Sequence, residues 1–551
     1  MAEVLGTALG LVGAVGVLGQ IFDGCIKAYA FFTTASNLGR DSERLVCKIR
    51  IEEMRLVVWG REWGVIEGKL EAHLQAESKA GNERMGLLAK QILSELYNTI
   101  TDFKKLQEKY GLQEDPTRPM SDKFAVQKKS DTPTVTSRLR HDLHLRARWV
   151  IADKEKFTAL LRDLKDYNDG LEQLFPPSRL ATVQRAWTNQ LLQSTGDLGE
   201  LNLLESASSG VYPQLNASAR LKQLRINLDS KPAAKFKPTA ALKITRGSLS
   251  ITDIDSGRSR GTYRNPSTTS AEDVLIEWAE YDKEDFDNRF HQTRRVDDLA
   301  RILHSAADRH PDLHTINCLG YTDDSISSRY GIVYRAPHPS CSTLNSLISS
   351  NDLRTPDLSD RFKLAHTLAV ALWSLHSLDW LHKSFASSNI LFFPSAFSAS
   401  ATRATAVAAS VPDISSPYLL GFDTSRPDHM GELSVASKTC TATELHRHPN
   451  SLNGMARKPY CRSYDIYSLG LVLLEIGLWK ALQVYHRPHY SAQKFLDRVV
   501  IQNLVPNLGS KTGRIYKELV ERCLAAPEDL TTQQAGQLME FVVDSLESLH
   551  V

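Results

Sequence analysis

The residues with the strongest claim to chemistry lie between Leu375 and Phe393, in the stretch LHSLDWLHKSFASSNILFF. An imidazole, an ammonium and a hydroxyl stand side by side at His382, Lys383 and Ser384, and a carboxamide follows at Asn389. No carboxylate stands between His382 and Asn389. The elements that position this stretch are legible on both sides. Ala365, Leu368, Ala369, Leu372, Leu375 and Leu378 recur at helical spacing. The chain then breaks at Asp379-Trp380, and the apolar run Asn389–Phe393 reads as a short buried strand.

Leu381-His382-Lys383-Ser384 with Asn389-Ile390-Leu391 resembles the catalytic loop of protein kinases, whose motif is H-R-D-L-x-x-x-N. Ser384 falls where the catalytic Asp belongs. Val274-Leu275-Ile276-Glu277-Trp278 resembles the strand carrying the kinase lysine, with Glu277 in the lysine's place and Lys283 a weak substitute. A carboxylate there repels phosphate instead of pairing with it. No G-x-G-x-x-G lies upstream, and the next helix, near 286–304, contains no glutamate for the family's Lys–Glu pair, with Asp297 and Asp298 the only acids in its second half. Tyr418-Leu-Leu-Gly421-Phe422-Asp423 inverts the D-F-G order: Gly421 takes the place of the Mg²⁺-binding Asp, and Asp423 that of the Gly. His446-Arg447-His448-Pro449 resembles the end of an activation segment, without the glutamate that should follow. Ser463-Tyr464-Asp465-Ile466-Tyr467-Ser468-Leu469-Gly470 matches the D-x-x-S-L-G helix start. The resemblance implies a two-lobed α+β kinase-like domain with its fold-building positions kept (His382, Phe422, Asp465) and its catalytic positions degenerate (Glu277, Ser384, Gly421). Asn389 and Asp423 are what remains of the nucleotide and metal site. No cofactor is required on this reading, with ATP and Mg²⁺ binding at most residual, and no metal site is expected.

The N-terminal half has a different signature. No residue from Val4 to Phe22 is charged, and Glu3 stands where a secretory signal would have a basic residue. Residues 4–34 read as one helix bearing Gly6, Gly10, Gly13, Gly16 and Gly19. In a water-exposed helix each glycine costs about 1 kcal/mol against alanine, so close packing or lipid must compensate. Amphipathic segments follow near 44–63, 87–106, 141–174 and 178–205, which suggests an antiparallel bundle. Between them, 111–138 reads as a loop, and a basic run from Lys123 to Arg148 reads as a solvated face or a contact for anionic lipid. The opening MAEVLGTALGLVGAVGVLGQIFDGCIKAYAFF, with the paired Trp59 and Trp63, resembles the HeLo domain of fungal prion-inhibition and incompatibility proteins. That resemblance implies an all-α bundle whose first helix can be expelled into a membrane.

At 551 residues the chain has room for two or more cores. A net charge of +2 gives no bias toward nucleic acid, and seven dispersed cysteines without a C-x-x-C pair fit reduced thiols. The expected organisation is a HeLo-like bundle at 1–230, a linker or start of a small lobe at 231–270, and a kinase-like domain at 271–551. Ser395–Val411 reads as a flexible insertion within that last domain. The expected function is regulated cell death or incompatibility, with a pseudokinase controlling a membrane-permeabilising bundle. A divergent active kinase and a non-lytic scaffold are the alternatives. Expected partners are membrane lipids, further copies of the chain and an upstream protein. The expected location is cytoplasmic, moving to the plasma membrane on activation.

Overall fold

The computed structural model describes residues 17–33, 40–65, 68–69, 85–114, 149–230, 236–255, 257–265, 270–281, 286–306, 310–394, 411–422, 426–427, 445–452 and 459–549. The chain divides into two compact units, Met1–Asn216 and Ala217–Val551. The division lies 14 residues before the boundary expected at 230, within one helix, Pro213–Asp229.

In the N-terminal unit the described helices are α1 (Val17–Thr33), α2 (Arg40–Glu62), α3 (Met85–Thr101), α4 (Phe103–Glu108), α5 (Lys154–Glu172), α6 (Pro177–Ser194) and α7 (Leu198–Ser208), with α8 (Pro213–Asp229) beginning here. A small antiparallel pair, β1 (Leu112–Glu114) and β2 (Trp149–Ile151), leads into α5. Two helices expected to be continuous are broken by capping aspartates. Asp102 ends α3 and accepts the Lys105 amide to start α4. Asp197 accepts the Gly199 and Glu200 amides to start α7. A short side chain that satisfies the free amides of a new first turn competes well with continuing the old helix.

The core of this unit is aromatic. Trp59 and Trp63 on α2 lie 6.2 Å apart, Trp63 stacks on Phe175 at 5.2 Å, and the Trp59 indole donates to the Leu171 carbonyl at 2.9 Å. Among the described residues no helix is long and apolar enough to cross a membrane. Gly6, Gly10, Gly13, Gly16 and the basic run from 123 to 148 lie outside the described residues; Gly19 is buried in α1.

The C-terminal unit joins a six-stranded sheet to a mainly helical part. The strands are β3 (Lys243–Ile244), β4 (Leu249–Asp255), β5 (Arg258–Arg264), β6 (Ala271–Glu280), β7 (Cys318–Asp324) and β8 (Arg329–Arg335), in the order β3-β7-β8-β6-β5-β4. Helix α9 (Phe286–Ala306) packs on β7. Three of these strands occupy 231–270, the stretch expected to be a linker or the start of a small lobe. Its Leu249-Ser250-Ile251-Thr252 alternation is a half-buried edge strand, with Leu249 and Ile251 packed on the cluster of Val274, Ile276 and Val333. Polar residues on the open face of an edge hairpin mask this pattern.

The helical part is built on α10 (Leu344–Ser349), α11 (Leu358–Ser377), α12 (Arg462–Leu478), α13 (Val505–Thr512), α14 (Arg514–Leu524) and α15 (Thr532–Glu547). Short strands β9 (Ser342–Thr343), β10 (Trp380–Leu381), β11 (Ile390–Phe392) and β12 (Tyr418–Leu419) frame the loop of interest. From Arg462 to Gly477 every residue of α12 is buried, which makes it the axis of this part.

Candidate functional site

Helix α11 ends at Ser377, and the chain reverses at Asp379, a non-glycine residue in the left-handed region with φ +54°. Such a turn needs outside support. It comes from three cations on one carboxylate: Lys222 at 2.8 Å, Arg225 at 3.5 Å and Arg462 at 2.7 Å. Lys222 is fully buried; burial pulls its pKa down, against the pull of Asp379.

Beyond the turn, Asp465 organises the loop from below. Its two oxygens accept the amides of His382 and Lys383, each at 2.8 Å, and the Tyr460 hydroxyl at 2.8 Å. His376 lies 3.3 Å from the same carboxylate. His382 is fully buried, and burial depresses its pKa to about 4, so it is neutral at physiological pH. Its ring packs edge-on to Phe422 at 4.9 Å.

Ser384 and Asn389 face each other across the loop. The Asn389 amide donates to the Ser384 carbonyl at 2.7 Å and to its hydroxyl at 3.0 Å. Gly421 is buried with φ +88°, and a Cβ there would meet Asn389 Nδ2 at 2.5 Å, so only glycine fits. Glu277 reaches this place from β6. It is 4% exposed, and its Oε1 accepts the Gly421 amide at 2.9 Å while its Oε2 accepts the Tyr334 hydroxyl at 3.2 Å.

The partner of Glu277 is Arg258, directly opposite it in the β5–β6 register, with Nη2 at 3.3 Å from Oε1. The same guanidinium donates to the Ser388 carbonyl at 2.8 Å and to Asn389 Oδ1. Glu277, Asn389, Ser384, Gly421, Phe422 and His382 thus share one neighbourhood, and Asp465 backs it. Lys283 and Asp423 lie outside the described residues. Asp297 sits elsewhere, accepting the amide and hydroxyl of Thr239 at 2.6 and 3.0 Å. His446 pairs with buried Glu475 at 2.8 Å.

Sequence reasoning missed Arg258. It lies in a Ser/Arg/Gly-rich stretch, and only strand register reveals that it faces Glu277. It also missed the glycines that dock α1. A Cβ on Gly24 would meet the Tyr97 ring at 2.6 Å, and one on Gly60 would meet Phe22 Cζ at 2.1 Å. A signal was present for Gly60, which stands between Trp59 and Trp63 on an otherwise bulky face.

The bundle also holds a carboxyl that disfavours its charge. Burial pushes Glu53 up to about 7, against the pull of Arg50. An acid whose folded pKa exceeds its unfolded value stabilises the fold below the unfolded pKa, and that contribution is lost as pH rises through the folded one. Stability of this unit is therefore expected to fall between about pH 4.5 and pH 7. Glu53→Gln should raise it at pH 8 by roughly 1–3 kcal/mol and leave pH 4 nearly unchanged. Urea unfolding of both proteins at the two pH values checks this.

A family model described as HeLo, prion-inhibition and propagation, matches residues 6–204. A domain family of unknown function, DUF7580, matches residues 268–541. The chain is 22% identical over 224 residues to heterokaryon incompatibility protein S of Podospora anserina, covering 38% of this chain and 73% of that protein. It is 21% identical over 234 residues to heterokaryon incompatibility protein s of the same species, covering 40% and 75%. The HeLo resemblance of the N-terminal half is thus met by a family match. The kinase resemblance of the C-terminal half rests on its residues alone.

Proposed function

We propose that this chain acts in regulated cell death or heterokaryon incompatibility, with a degenerate kinase-like unit controlling a HeLo-like unit that permeabilises membrane. The supporting observation for the first part is the HeLo match over residues 6–204, together with the names of the two relatives. For the second part, the support is chemical. The position of the kinase lysine holds a carboxylate already committed to Arg258 and Gly421, and the position of the catalytic Asp holds Ser384. The residues do not fit a nucleotide–metal pair, and no step of the mechanism runs through one.

In this mechanism α1 is the moving part. At rest it is docked by Phe22 against Trp59, with ring centres 6.3 Å apart, and by Gly24 against Tyr97. On release the sequence from Val4 to Phe22, which carries no charged residue, partitions into lipid. The partners are membrane lipids, further copies of this chain and an upstream protein that relieves restraint. The protein waits in the cytoplasm and acts at the plasma membrane.

Gly13→Glu tests the membrane step, because a carboxylate amid the uncharged stretch opposes insertion by about 2–3 kcal/mol. Dye release from anionic liposomes by residues 1–230, which keep α8 whole, is expected to fall at least tenfold in the variant. Undiminished release would remove the uncharged stretch from the mechanism.

A further inference from the structure

We propose that Arg258 is a built-in occupant of the cleft between the sheet and the helical part of the C-terminal unit, and that it straps the two together without nucleotide or metal. The inference deepens the kinase-like reading only in naming what is shut out; the strap itself stands on geometry. Arg258 opens β5 directly after Gly257, whose φ of +85° makes the tight turn from β4. Its side chain is 19% exposed and leaves the sheet to reach Ser388 O, at 2.8 Å, and Asn389 Oδ1. Glu277 leaves the neighbouring strand in the same direction and takes the Gly421 amide at 2.9 Å. Two opposed residues of one hairpin thus grip two segments of the helical part, the Ser384–Asn389 loop and the chain around Gly421.

The bonding capacity of the cleft is used internally. Asn389 Oδ1, the oxygen that would face a metal ion, accepts from the guanidinium, and its Nδ2 is turned onto Ser384. A divalent cation at that oxygen would sit against the positive charge of Arg258. A phosphate would meet the Glu277 carboxylate, which is 5% exposed at the side chain and shielded by Tyr334. Guanidinium–carboxylate pairing at low exposure gives strong, directional bonds, and a planar fork suits three acceptors at once. The charge that a metal ion would bring is supplied by the chain.

The test uses the full-length protein, with Arg258→Ala and Arg258→Lys as variants. Hydrogen exchange is read at the amides of 384–392 and 419–422, beside the buried helix α12 as an internal control. Arg258→Ala is expected to speed exchange at both segments by about tenfold or more, the weight of hydrogen bonds to a charged group, while α12 keeps its protection. Arg258→Lys, which keeps the charge but loses the fork, should fall between the two. The wild-type protein should show no shift in unfolding temperature with magnesium-ATP. Unchanged exchange at 384–392 and 419–422 in Arg258→Ala would overturn the strap. A magnesium-ATP shift in the wild-type protein would overturn the claim that the cleft is already filled. Neither readout depends on membrane leakage, so the strap and the death-effector reading fail separately.

Discussion

Gly60→Leu is expected to lower the stability of the N-terminal unit by about 3 kcal/mol or more, and to make the full-length protein release dye from liposomes without a trigger. Helix propensity alone predicts the opposite sign, since glycine inside a helix is worse than leucine by nearly 1 kcal/mol. Packing decides. A Cβ at position 60 would lie 2.1 Å from Phe22 Cζ, well inside contact distance, and the rest of a leucine would need the volume that the ring now fills. Phe22 cannot swing aside cheaply, because it is only 7% exposed and lies against Trp59. The least costly response is displacement of α1, which is the movement the proposed mechanism requires. Thermal unfolding and dye release from anionic liposomes measure the two effects together. A variant as stable and as silent as the wild type would show that α1 docking does not control release.

Arg55→Met should cost the same unit about 3–5 kcal/mol. The guanidinium is 3% exposed and holds three carboxylates: Glu172 at 2.9 Å, Glu52 at 3.0 Å and Asp169 at 2.7 Å. It also donates to the Tyr212 hydroxyl at 2.9 Å. Burial already raises the pKa of Glu52, against the pull of Arg55. Without Arg55, Glu52 and Glu172 are left as buried acids that must take up protons or draw in water. The loss should therefore shrink at low pH, where Glu52 takes up a proton, and Glu172→Gln placed on Arg55→Met should recover part of it. Urea unfolding of the single and double variants at pH 5 and pH 8 is the measurement. An Arg55→Met cost that is small at both pH values would contradict the role of this hub.

Much of the architecture is readable in the chain because it rests on local rules. The 3.6-residue spacing of Ala365 to Leu378 marks α11, which the structure ends at Ser377, two residues before the break at Asp379. The β-branched run at Val274–Trp278 lies within β6. The loop from His382 to Asn389 and the helix start at Asp465 are local motifs, and the structure places the Asp465 carboxylate on the His382 and Lys383 amides. Breaks at Asp102 and Asp197 were missed because one capping side chain outweighs an apolar periodicity that continues beyond it.

What stayed hidden depends on residues far apart in sequence. Arg258 meets Glu277 through strand register and Asn389 across 131 positions. Arg55 gathers Glu172 from 117 positions away, and Lys222 clamps Asp379 from 155 residues before Ser377. No periodicity encodes such encounters. Gly24 and Gly60 belong to the same class, because a glycine chosen for close approach looks in sequence like a weak point in a helix. His382, Ser384, Asn389, Glu277 and Asp465 were thus named without the arginine that fastens them.

The central claim is that a membrane-active bundle is restrained by the rest of its own chain. Its most direct test is dye release from anionic liposomes by residues 1–230 and by the full-length protein, side by side at equal concentration. Release is expected from the fragment and little or none from the full chain. Equal release by both would contradict the restraint, and silence from both would contradict the membrane activity itself.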